Sequence, residues 1–464
     1  MHKMKIHMVA ICGTGMGSLA GILKAAGHEV RGSDKAFYPP MSEALKRWEI
    51  PTVEGFAPEH IAPDVELVIV GNACRKDNPE AVEAKARGVK VMSFPQTLSE
   101  LFIRGKRSIM VAGTHGKTTT ASLIAYMLIE AGRDPSFLVG GVSLNFDKSF
   151  RLGAGEDFVV EGDEYDSAYF DKRPKFVHYR PEVVVLTSLE FDHADIYADM
   201  KAYRAAFEGL VDMIPETGLL IACADDAEVM RVAERARCPV LSYGLSPKAD
   251  RCVTGLKAES DGMRFSFEGK DIWVPLSGRH NVSNALACML VGEFLGLAPA
   301  GFEKLLKNFK GVARRMQVRG EAGGVTVVDD FAHHPTEVAE TVRAARERFS
   351  DSKLVAVFEP RTNTSRRAFF QDRYPESFEG ADRVIIVPPF GVDQIPAAER
   401  FDSQSLVADL RGRGLDAMLM ADADQVVAEL VPELPAGTVV LIMSNGAFGD
   451  IHQKLLDALS ARDS

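Results

Sequence analysis

SIMVAGTHGKTTTASLIAYMLIEA, residues 108–131, is the stretch that decides the fold of the middle of the chain. Its apolar start predicts a strand over 108–112, a glycine-rich turn follows, and 118–131 predicts a long apolar helix. Phosphates need backbone N–H groups at a helix N-terminus, a lysine, and a hydroxyl for Mg²⁺, and this order supplies them. The turn departs from G-x-x-x-x-G-K-[ST], because Val111 stands at the first glycine. We interpret it as a phosphate loop in which Lys117 neutralises β- and γ-phosphate charge and Thr118 holds the metal.

Strand and helix patterns alternate on both sides of this stretch, which is typical of βαβ units and parallel sheets. At ~150 residues per domain, the 464 residues correspond to about three domains. We predict an α/β fold with a Rossmann-like N-terminal domain over 1–106, a central P-loop ATPase domain over 107–312 and a C-terminal α/β domain over 313–464. Predicted strands cover 6–11, 30–34, 67–70, 89–92, 158–161, 183–189, 219–222, 325–329, 354–359, 383–387 and 439–444, with a β-like stretch over 251–275.

The composition excludes several classes of protein. Hydrophobic residues make up 46% and charged residues 26%, as in ordinary globular proteins, which excludes disorder and fibres. The net charge of −11 argues against a nucleic-acid partner. The six cysteines show no CxxC or zinc-ligand spacing, so neither a disulfide framework nor a zinc site is indicated.

The first residues could be mistaken for a signal peptide, since lysines precede an apolar run. Gly13, Gly15 and Gly17 interrupt that run, and a second strand follows directly. The chain also has no uninterrupted apolar run of the ~18 residues needed to span a bilayer. We therefore expect a cytoplasmic protein without membrane insertion.

A second glycine-rich turn, Gly13-Thr14-Gly15-Met16-Gly17, lies between the first predicted strand and a helix. It reads G-x-G-x-G rather than G-x-G-x-x-G, and Asp34 stands about where a ribose-binding acid would lie. The pattern alone fits equally a phosphate-bearing ligand and a merely tight βα turn. Together with the phosphate loop downstream, it favours two phosphorylated substrates over hydride transfer.

Acidic residues follow two predicted strands of the central domain. They occur in EGDEYD, residues 161–166, and in LEFDH, residues 189–193. The carboxyl ends of parallel strands share one edge of a sheet with the phosphate loop, so these groups could converge on a metal. A single carboxylate in such a position is more often a solvated loop residue than a metal ligand. Taken alone, a histidine such as His193 is more often structural than a ligand.

The segment 328–335, VDDFAHHP, ends the first predicted strand of the third domain. Neutral His333 or His334 could take up a proton near pH 7, or the segment could be an N-capping loop, since Pro335 opens a helix. Arginines flank this region at 314, 315, 361, 366 and 367, and for each a solvated face is as plausible as an anion contact.

Six motifs occur in order: GTHGKTTT (113–120), EGDEYD, LEFDH, GRHNVSNALA (278–287), ARR (313–315) and DDFAHHP (329–335). With them the chain resembles the Mur ligase family across all three predicted domains. The segments FYPPMS (37–42), GNACRKDNP (71–79) and DKRPKFVHY (171–179) are similar to those members that join L-Ala-γ-D-Glu-meso-diaminopimelate to UDP-N-acetylmuramate in peptidoglycan recycling. The alternative within the family is the ligase that adds free L-alanine in de novo synthesis. From another class, a regulatory or transport ATPase remains a minor alternative.

The resemblance implies ATP and Mg²⁺ as cofactors and the following sites. ATP is assigned to Gly113, Thr114, His115, Gly116, Lys117, Thr118, Thr119, His280, Asn281 and Arg315. The UDP-sugar is assigned to Gly13, Thr14, Gly15, Met16, Gly17 and Asp34, and Mg²⁺ to Thr118, Glu161 and His193. The catalytic set comprises Lys117, His193, Arg315, Asp330, His333 and His334, and the peptide end falls to Arg361, Asn363 and Arg366. The implied reaction passes through an acyl phosphate, and the expected protein is a monomer or a weak homo-oligomer.

One position departs from the family pattern. Several of its amide ligases carry a carbamylated lysine in a YRAAK pattern, whereas Tyr203-Arg-Ala-Ala-Phe207 has phenylalanine at that place. We therefore predict that this chain carries no carbamate.

Overall fold

The structure is a computed structural model, and it describes residues 2–393 and 395–462. Its contacts divide the chain into two compact units. The first unit contains the residues up to Phe191 together with Ala198–Cys252 and Asn284–Leu306. The second unit contains Asp192–Tyr197, Val253–Ser283 and the described residues from Lys307 onward.

A five-stranded sheet begins the first unit, in the order β3-β2-β1-β4-β5 and parallel throughout. This is the strand order of a Rossmann-type sheet, and the turn after its first strand is the usual place for a nucleotide. The elements are β1 (Lys5–Val9), α1 (Thr14–Ala25), β2 (Glu29–Asp34), α2 (Met41–Arg47), β3 (Thr52–Glu54), β4 (Leu67–Val70), α3 (Pro79–Ala86), β5 (Lys90–Ser93) and α4 (Phe94–Leu98). A π-helical turn over Ser99–Ile103 leads on from α4.

An eight-stranded sheet completes the first unit, in the order β15-β14-β13-β12-β6-β9-β7-β8. Only the edge pair β7 and β8 is antiparallel. Its elements are β6 (Arg107–Ala112), α5 (Lys117–Glu130), β7 (Ser136–Ser143), β8 (Lys148–Arg151), β9 (Asp157–Gly162), the hairpin β10 (Asp166–Ala168) and β11 (Asp171–Pro174), β12 (Val183–Leu186), α6 (Met200–Asp212), β13 (Leu219–Cys223), α7 (Ala227–Ala233), β14 (Val240–Gly244) and β15 (Arg251–Cys252). The central strands are apolar on both faces, as helices covering both sides require.

Two further groups of elements lie along the chain before the last sheet. A three-stranded antiparallel sheet consists of β16 (Thr254–Glu259), β17 (Gly262–Phe267) and β18 (Lys270–Val274). The helices α8 (Arg279–Phe294) and α9 (Phe302–Leu306) follow, and the division between the units falls within α8.

The six-stranded sheet of the second unit has the order β19-β20-β24-β21-β22-β23, with only β19 antiparallel to its neighbour. Separate apolar clusters cover its two faces. Its elements are β19 (Gln317–Ala322), β20 (Val325–Asp330), α10 (Pro335–Arg348), β21 (Lys353–Phe358), α11 (Tyr374–Ser377), β22 (Arg383–Ile386), α12 (Ser403–Gly412), β23 (Asp416–Leu419), α13 (Ala423–Leu430), β24 (Thr438–Met443) and α14 (Ile451–Arg462).

The α/β class and the three successive mixed or parallel sheets confirm the predicted fold class. Every predicted strand is present within a few residues, although β12 ends at Leu186 rather than at 189 because the chain turns there toward the phosphate loop. Several strands were not predicted. They include edge and hairpin strands such as β8, β10 and β19 and also two strands inside the eight-stranded sheet, β7 and β14. Among the described residues, no helix combines the length and the apolar character needed to cross a membrane.

Candidate active site

The phosphate loop joins β6 to α5, as the sequence predicts. Gly116 has φ +78° immediately before the helix, a conformation that glycine adopts without the steric cost of a Cβ. A Cβ at this position would also meet the amide oxygen of Asn284. The first N–H groups of α5 have no partner within the helix, so the loop and the helix N-terminus form an anion site of the kind that phosphates occupy.

The ammonium of Lys117 is enclosed by acceptors. It donates to the carbonyls of Gly113 and Thr114, and both carboxylate oxygens of Glu164 lie 3.1 and 3.3 Å from its Nζ. Burial alone would lower the pKa of Lys117, but the charges of Glu164 and then Asp163 outweigh burial and raise it. The lysine therefore stays charged, as its assigned role requires.

Two of the predicted metal ligands lie side by side. The hydroxyl of Thr118 donates to one carboxylate oxygen of Glu161 at 3.0 Å, and the backbone N–H of Gly140 donates to the other. Burial raises the pKa of Glu161, despite the opposing effects of these bonds and of Lys117. Mg²⁺ prefers oxygen ligands such as carboxylates. The buried carboxylate of Glu161 and the hydroxyl of Thr118 beside the phosphate loop therefore fit this metal.

The loop after β12 supports the phosphate loop. The Thr114 hydroxyl donates to the carbonyl of Glu190 at 2.8 Å, and the His115 N–H donates to the Ser188 hydroxyl at 2.9 Å. The Nε2 atom of His115 lies 3.1 Å from the carboxylate of Glu190. Thus the LEFDH motif reaches the phosphate loop through Glu190, which the sequence predicted only as one of the acids that could converge on a metal.

Asp163 and Lys175 form a further pair within the first unit, with Lys175 Nζ 2.6 Å from the carboxylate. Burial alone would raise the pKa of Asp163, but Lys175 and Lys117 lower it to about 2. Lys175 belongs to the DKRPKFVHY segment, which the sequence analysis used only for the resemblance. The EGDEYD motif therefore contributes three acids with three different partners.

The first glycine-rich turn connects β1 to α1, which begins at Thr14. A Cβ at Gly17 would collide with the side chain of Met41, so this glycine permits close helix packing. Asp34 accepts the Cys12 N–H at 2.7 Å and also the N–H of Lys35. Its carboxylate therefore shapes the turn, and any contact with a ribose would be additional to this role.

His193 belongs to the short segment Asp192–Tyr197 of the second unit and has φ +57°. The segment is held by two bonds within that unit: the Thr364 hydroxyl donates to Asp192 at 2.8 Å, and the Asn363 amide donates to Asp195 at 3.1 Å. Burial would raise the pKa of Asp192, but His193, His333 and the Thr364 hydroxyl lower it. Asn363, predicted to bind peptide, here fixes the loop that carries His193.

The two adjacent histidines occupy different environments. His334 is 2% exposed, accepts the Thr336 N–H as the cap of α10, and packs its ring edge-on against Phe370. His333 is more accessible, and its Nδ1 lies 3.2 Å from the carboxylate of Glu337. The arrangement makes His333 the better candidate base and gives His334 a structural role.

Asp330 is buried, and its carboxylate accepts the N–H groups of Met316 and Ala332 at 2.7 and 2.8 Å. Burial raises its pKa despite these bonds and the charge of Arg315. Arg315 itself remains partly exposed and lies over the ring of Phe331. Asp330 therefore positions the strand end, whereas Arg315 is accessible for a nucleotide contact.

The two arginines assigned to the peptide end, Arg361 and Arg366, also differ from each other. Arg366 donates to the carbonyls of Thr362, Phe390 and Gly391 and to the Asn363 amide oxygen, so it fixes loops. Arg361 stacks on the ring of Phe390 at 4.0 Å and pairs with the buried Glu359. All three residues assigned to the peptide end, Arg361, Asn363 and Arg366, therefore have partners within the second unit.

At the start of α8, the amide of Asn281 donates to the Ser277 carbonyl at 2.8 Å, and His280 lies 3.7 Å from Glu340.

The sequence predicted the phosphate loop and the proximity of Thr118 and Glu161. The sequence assigned no role to Lys175, Tyr203 or Thr364, and Glu164 and Glu190 were predicted only as members of acidic motifs that could converge on a metal. All five act through contacts between different segments of the chain. A cluster of acids directly after a strand was the available signal for Glu164.

Three family models match successive parts of the chain: the Mur ligase family catalytic domain over 5–106, the Mur ligase middle domain over 111–292 and the Mur ligase glutamate ligase domain over 314–446. The chain is 38% identical to the UDP-N-acetylmuramate–L-alanyl-γ-D-glutamyl-meso-2,6-diaminoheptandioate ligase of Escherichia coli K12, over 99% of each chain. It is 35% identical to the UDP-N-acetylmuramate–L-alanine ligase of Oleidesulfovibrio alaskensis, over 98% of each.

Among solved structures, a murein peptide ligase from Psychrobacter arcticus is 35% identical and superposes with a TM-score of 0.73, covering 98% of this chain and 99% of that one. Each of these three matches covers 98–99% of this chain and 98–99% of the other protein. Together with the phosphate loop and the acid pair, this similarity establishes that the chain belongs to the Mur ligase family, whose members are ATP-dependent ligases that form amide bonds.

Proposed function

We propose that this chain joins L-Ala-γ-D-Glu-meso-diaminopimelate to the lactyl carboxylate of UDP-N-acetylmuramate in peptidoglycan recycling. The single observation that carries the ATP chemistry is the pairing of Thr118 with Glu161 beside the enclosed Lys117. The tripeptide acceptor is supported by the identity to the Escherichia coli ligase over nearly the whole chain. The alternative acceptor, free L-alanine, is supported by relatives that are only slightly less identical.

The reaction has two steps. The lactyl carboxylate attacks the γ-phosphoryl group of ATP, which gives an acyl phosphate and ADP. The α-amine of the acceptor then attacks the acyl carbon, and phosphate leaves from the tetrahedral intermediate. Lys117 stabilises the phosphoryl oxygens in the first step, where positioning and electrostatics supply most of the catalysis.

ATP is assigned to the phosphate loop, with His280 and Asn281 on the adenine side of the nucleotide and Arg315 as a residue of the third predicted domain that reaches the nucleotide. The UDP moiety is assigned to the turn over 13–17, at the carboxyl edge of the first sheet. Mg²⁺ falls to Thr118, Glu161 and His193, where it would neutralise the charge of the transferring phosphoryl group. Arg361 supplies a carboxylate contact for the diaminopimelate end.

The incoming amine must lose a proton before or during its attack. Histidine takes up protons near neutral pH, and His333 is our candidate base because it is more exposed than His334. The departing phosphate is the alternative base.

We also propose that the domain limits lie at residues 106 and 312, that the protein is cytoplasmic, and that the chain is monomeric or weakly associating.

One assay tests the acceptor. The purified chain is incubated with ATP, Mg²⁺ and UDP-N-acetylmuramate, with either the tripeptide or L-alanine, and phosphate release and product mass are followed. Product formed only with the tripeptide supports the proposal, and preference for L-alanine places the enzyme in de novo synthesis. Phosphate release without any acceptor would favour an ATPase.

A further inference from the structure

The contacts of Lys117 have a consequence for nucleotide binding. An ammonium group carries three N–H donors and no acceptor. The carbonyls of Gly113 and Thr114 and the carboxylate of Glu164 supply three acceptor groups around Nζ. A phosphate can therefore bind this lysine only when one of these contacts opens.

Of the three acceptor groups, the Glu164 carboxylate is the one that resembles a phosphate. Both are anions with several acceptor oxygens, and an ion pair between ammonium and carboxylate is the strongest of these contacts. The two carbonyls belong to the phosphate loop itself and stay beside the lysine whatever it binds. Glu164 comes instead from the separate segment that follows β9.

Glu164 also has a second donor. It is 1% exposed, and the hydroxyl of Tyr203 on α6 donates to its Oε1 at 3.2 Å. A buried carboxylate is costly without hydrogen bonds, so this hydroxyl lowers the cost of separating Glu164 from Lys117. The Tyr203 oxygen also lies 3.0 Å from the hydroxyl of Thr114 in the loop.

We infer that Glu164 is a positioning residue for Lys117: its carboxylate holds the ammonium in the nucleotide-free chain, the phosphates of ATP displace it, and Tyr203 then remains as its donor. The inference rests on the proposed binding of ATP at this loop. It adds a competition between an internal carboxylate and the substrate phosphates that sets the affinity for nucleotide.

The test compares two substitutions that act on opposite sides of this competition. Glu164→Gln removes the competing charge, and we expect ATP and ADP to bind about tenfold more tightly, equivalent to ~1.4 kcal/mol. Tyr203→Phe removes the second donor without changing any charge, so Glu164 depends more on Lys117 and nucleotide should bind several-fold more weakly. Thr114 keeps its bond to the Glu190 carbonyl in that variant.

The measurement is calorimetric titration of the full chain with ATP and with ADP, each with Mg²⁺ and with EDTA. Glu80→Gln is the matched control, because Glu80 is a fully buried glutamate of the same unit that bonds to His7, Ser33 and His60 instead. In turnover, the KM for ATP should fall in Glu164→Gln and rise in Tyr203→Phe. Thermal unfolding of each variant monitors the fold.

Opposite shifts in affinity in the two variants support the inference, since a purely structural role would weaken binding in both. Equal or weaker binding by Glu164→Gln overturns it while leaving the proposed function intact. If that variant does not fold, Glu164→Asp replaces it, because the shorter side chain keeps the charge but reaches Lys117 less well: tighter nucleotide binding supports the inference, and unchanged or weaker binding overturns it. No nucleotide binding by the unsubstituted chain would overturn the proposed function and this inference together.

Discussion

In the first unit, two adjacent residues of the phosphate loop supply groups assigned to ATP and Mg²⁺, whereas in the second unit the predicted site residues lie on several loops that are far apart in the sequence. Lys117 and Thr118 are adjacent, and their partners Glu161 and Glu164 come from one motif. In the second unit, Thr364 reaches back to Asp192, across 172 residues. In both units, partners from other segments hold these groups in place, but in the first unit the two phosphate-loop groups also follow one another in the sequence.

A second difference concerns how the polar groups are used. Around the phosphate loop, charged groups face each other within reach of a ligand. In the second unit, four predicted site residues form hydrogen bonds that hold the backbone and the loops in place: Asp330, His334, Asn363 and Arg366. Removing Lys117 should therefore act mainly on rate, whereas removing His334 or the bond from Thr364 to Asp192 should act mainly on stability.

The largest effect is expected from Lys117→Ala. Loss of one preorganised donor typically costs ~10²–10³ in kcat, and this lysine also binds the ground-state phosphates, so turnover should be lost. The measurement is phosphate release and product mass, with circular dichroism to follow the fold. The matched control is Lys201→Ala on the exposed face of α6, which should retain full activity. Unchanged ATP consumption by Lys117→Ala would refute the assignment.

His333→Ala and His334→Ala should separate rate from stability. A general base contributes ~10²-fold or more, so His333→Ala should lower kcat with little change in melting temperature. His334→Ala removes a helix cap and a ring packed on Phe370, and should cost ~1–2 kcal/mol of unfolding free energy. The checks are pH-rate profiles and thermal unfolding. Wild-type rates at every pH in both variants would assign the base to the departing phosphate.

Thr364→Val tests whether long-range contacts hold the second unit. Thr364 and Asp192 are 3% and 5% exposed, so the substitution leaves a buried carboxylate with one donor fewer, at a cost of ~1–3 kcal/mol. Urea unfolding measures the loss. Thr254→Val, on an exposed position of β16, is the control and should change stability little. Equal stability of the two variants would show that the Asp192 contact contributes nothing.

The pH dependence of stability should report the charge pairs of the first unit. The folded pKa of Asp163 is lowered to about 2 by Lys175 and Lys117, against burial, from an ordinary value of 3.8. A lowered acid pKa contributes stability that is fully present above pH 3.8 and is lost as the pH falls toward 2. Asp163→Asn should therefore flatten this part of a plot of unfolding free energy against pH. An unchanged slope would contradict the ion pair.

The smallest effect is expected from removing CO₂, because we predict that this chain carries no carbamate. Phe207 is fully buried and packs against Phe176 and Tyr203, so an apolar ring fills the place that a modified lysine takes in other members. Removing CO₂ from the assay should leave the rate unchanged, and native mass spectra should show no adduct of 44 Da. A CO₂ requirement would mean that another lysine takes this role.

The sequence predicted the fold class because strands buried on both faces are continuous apolar runs, such as those at 67–70, 183–186 and 219–222. It missed β8 and β19, edge strands whose pairing depends on a partner elsewhere in the chain. It predicted Gly116, Lys117, Thr118 and Glu161 as neighbours for a similar reason, because they lie after or at the ends of β6 and β9, which are parallel strands whose ends share one edge.

The sequence by itself determined the phosphate loop, since a strand, a glycine turn and a helix N-terminus are local structures specified by neighbouring residues. Only the tertiary structure decided which of His333 and His334 is accessible and that Asn363 holds Asp195. It also decided that Glu164 encloses Lys117 with the help of Tyr203. These properties depend on burial and on contacts between distant segments, and both arise only when the sheets and helices pack.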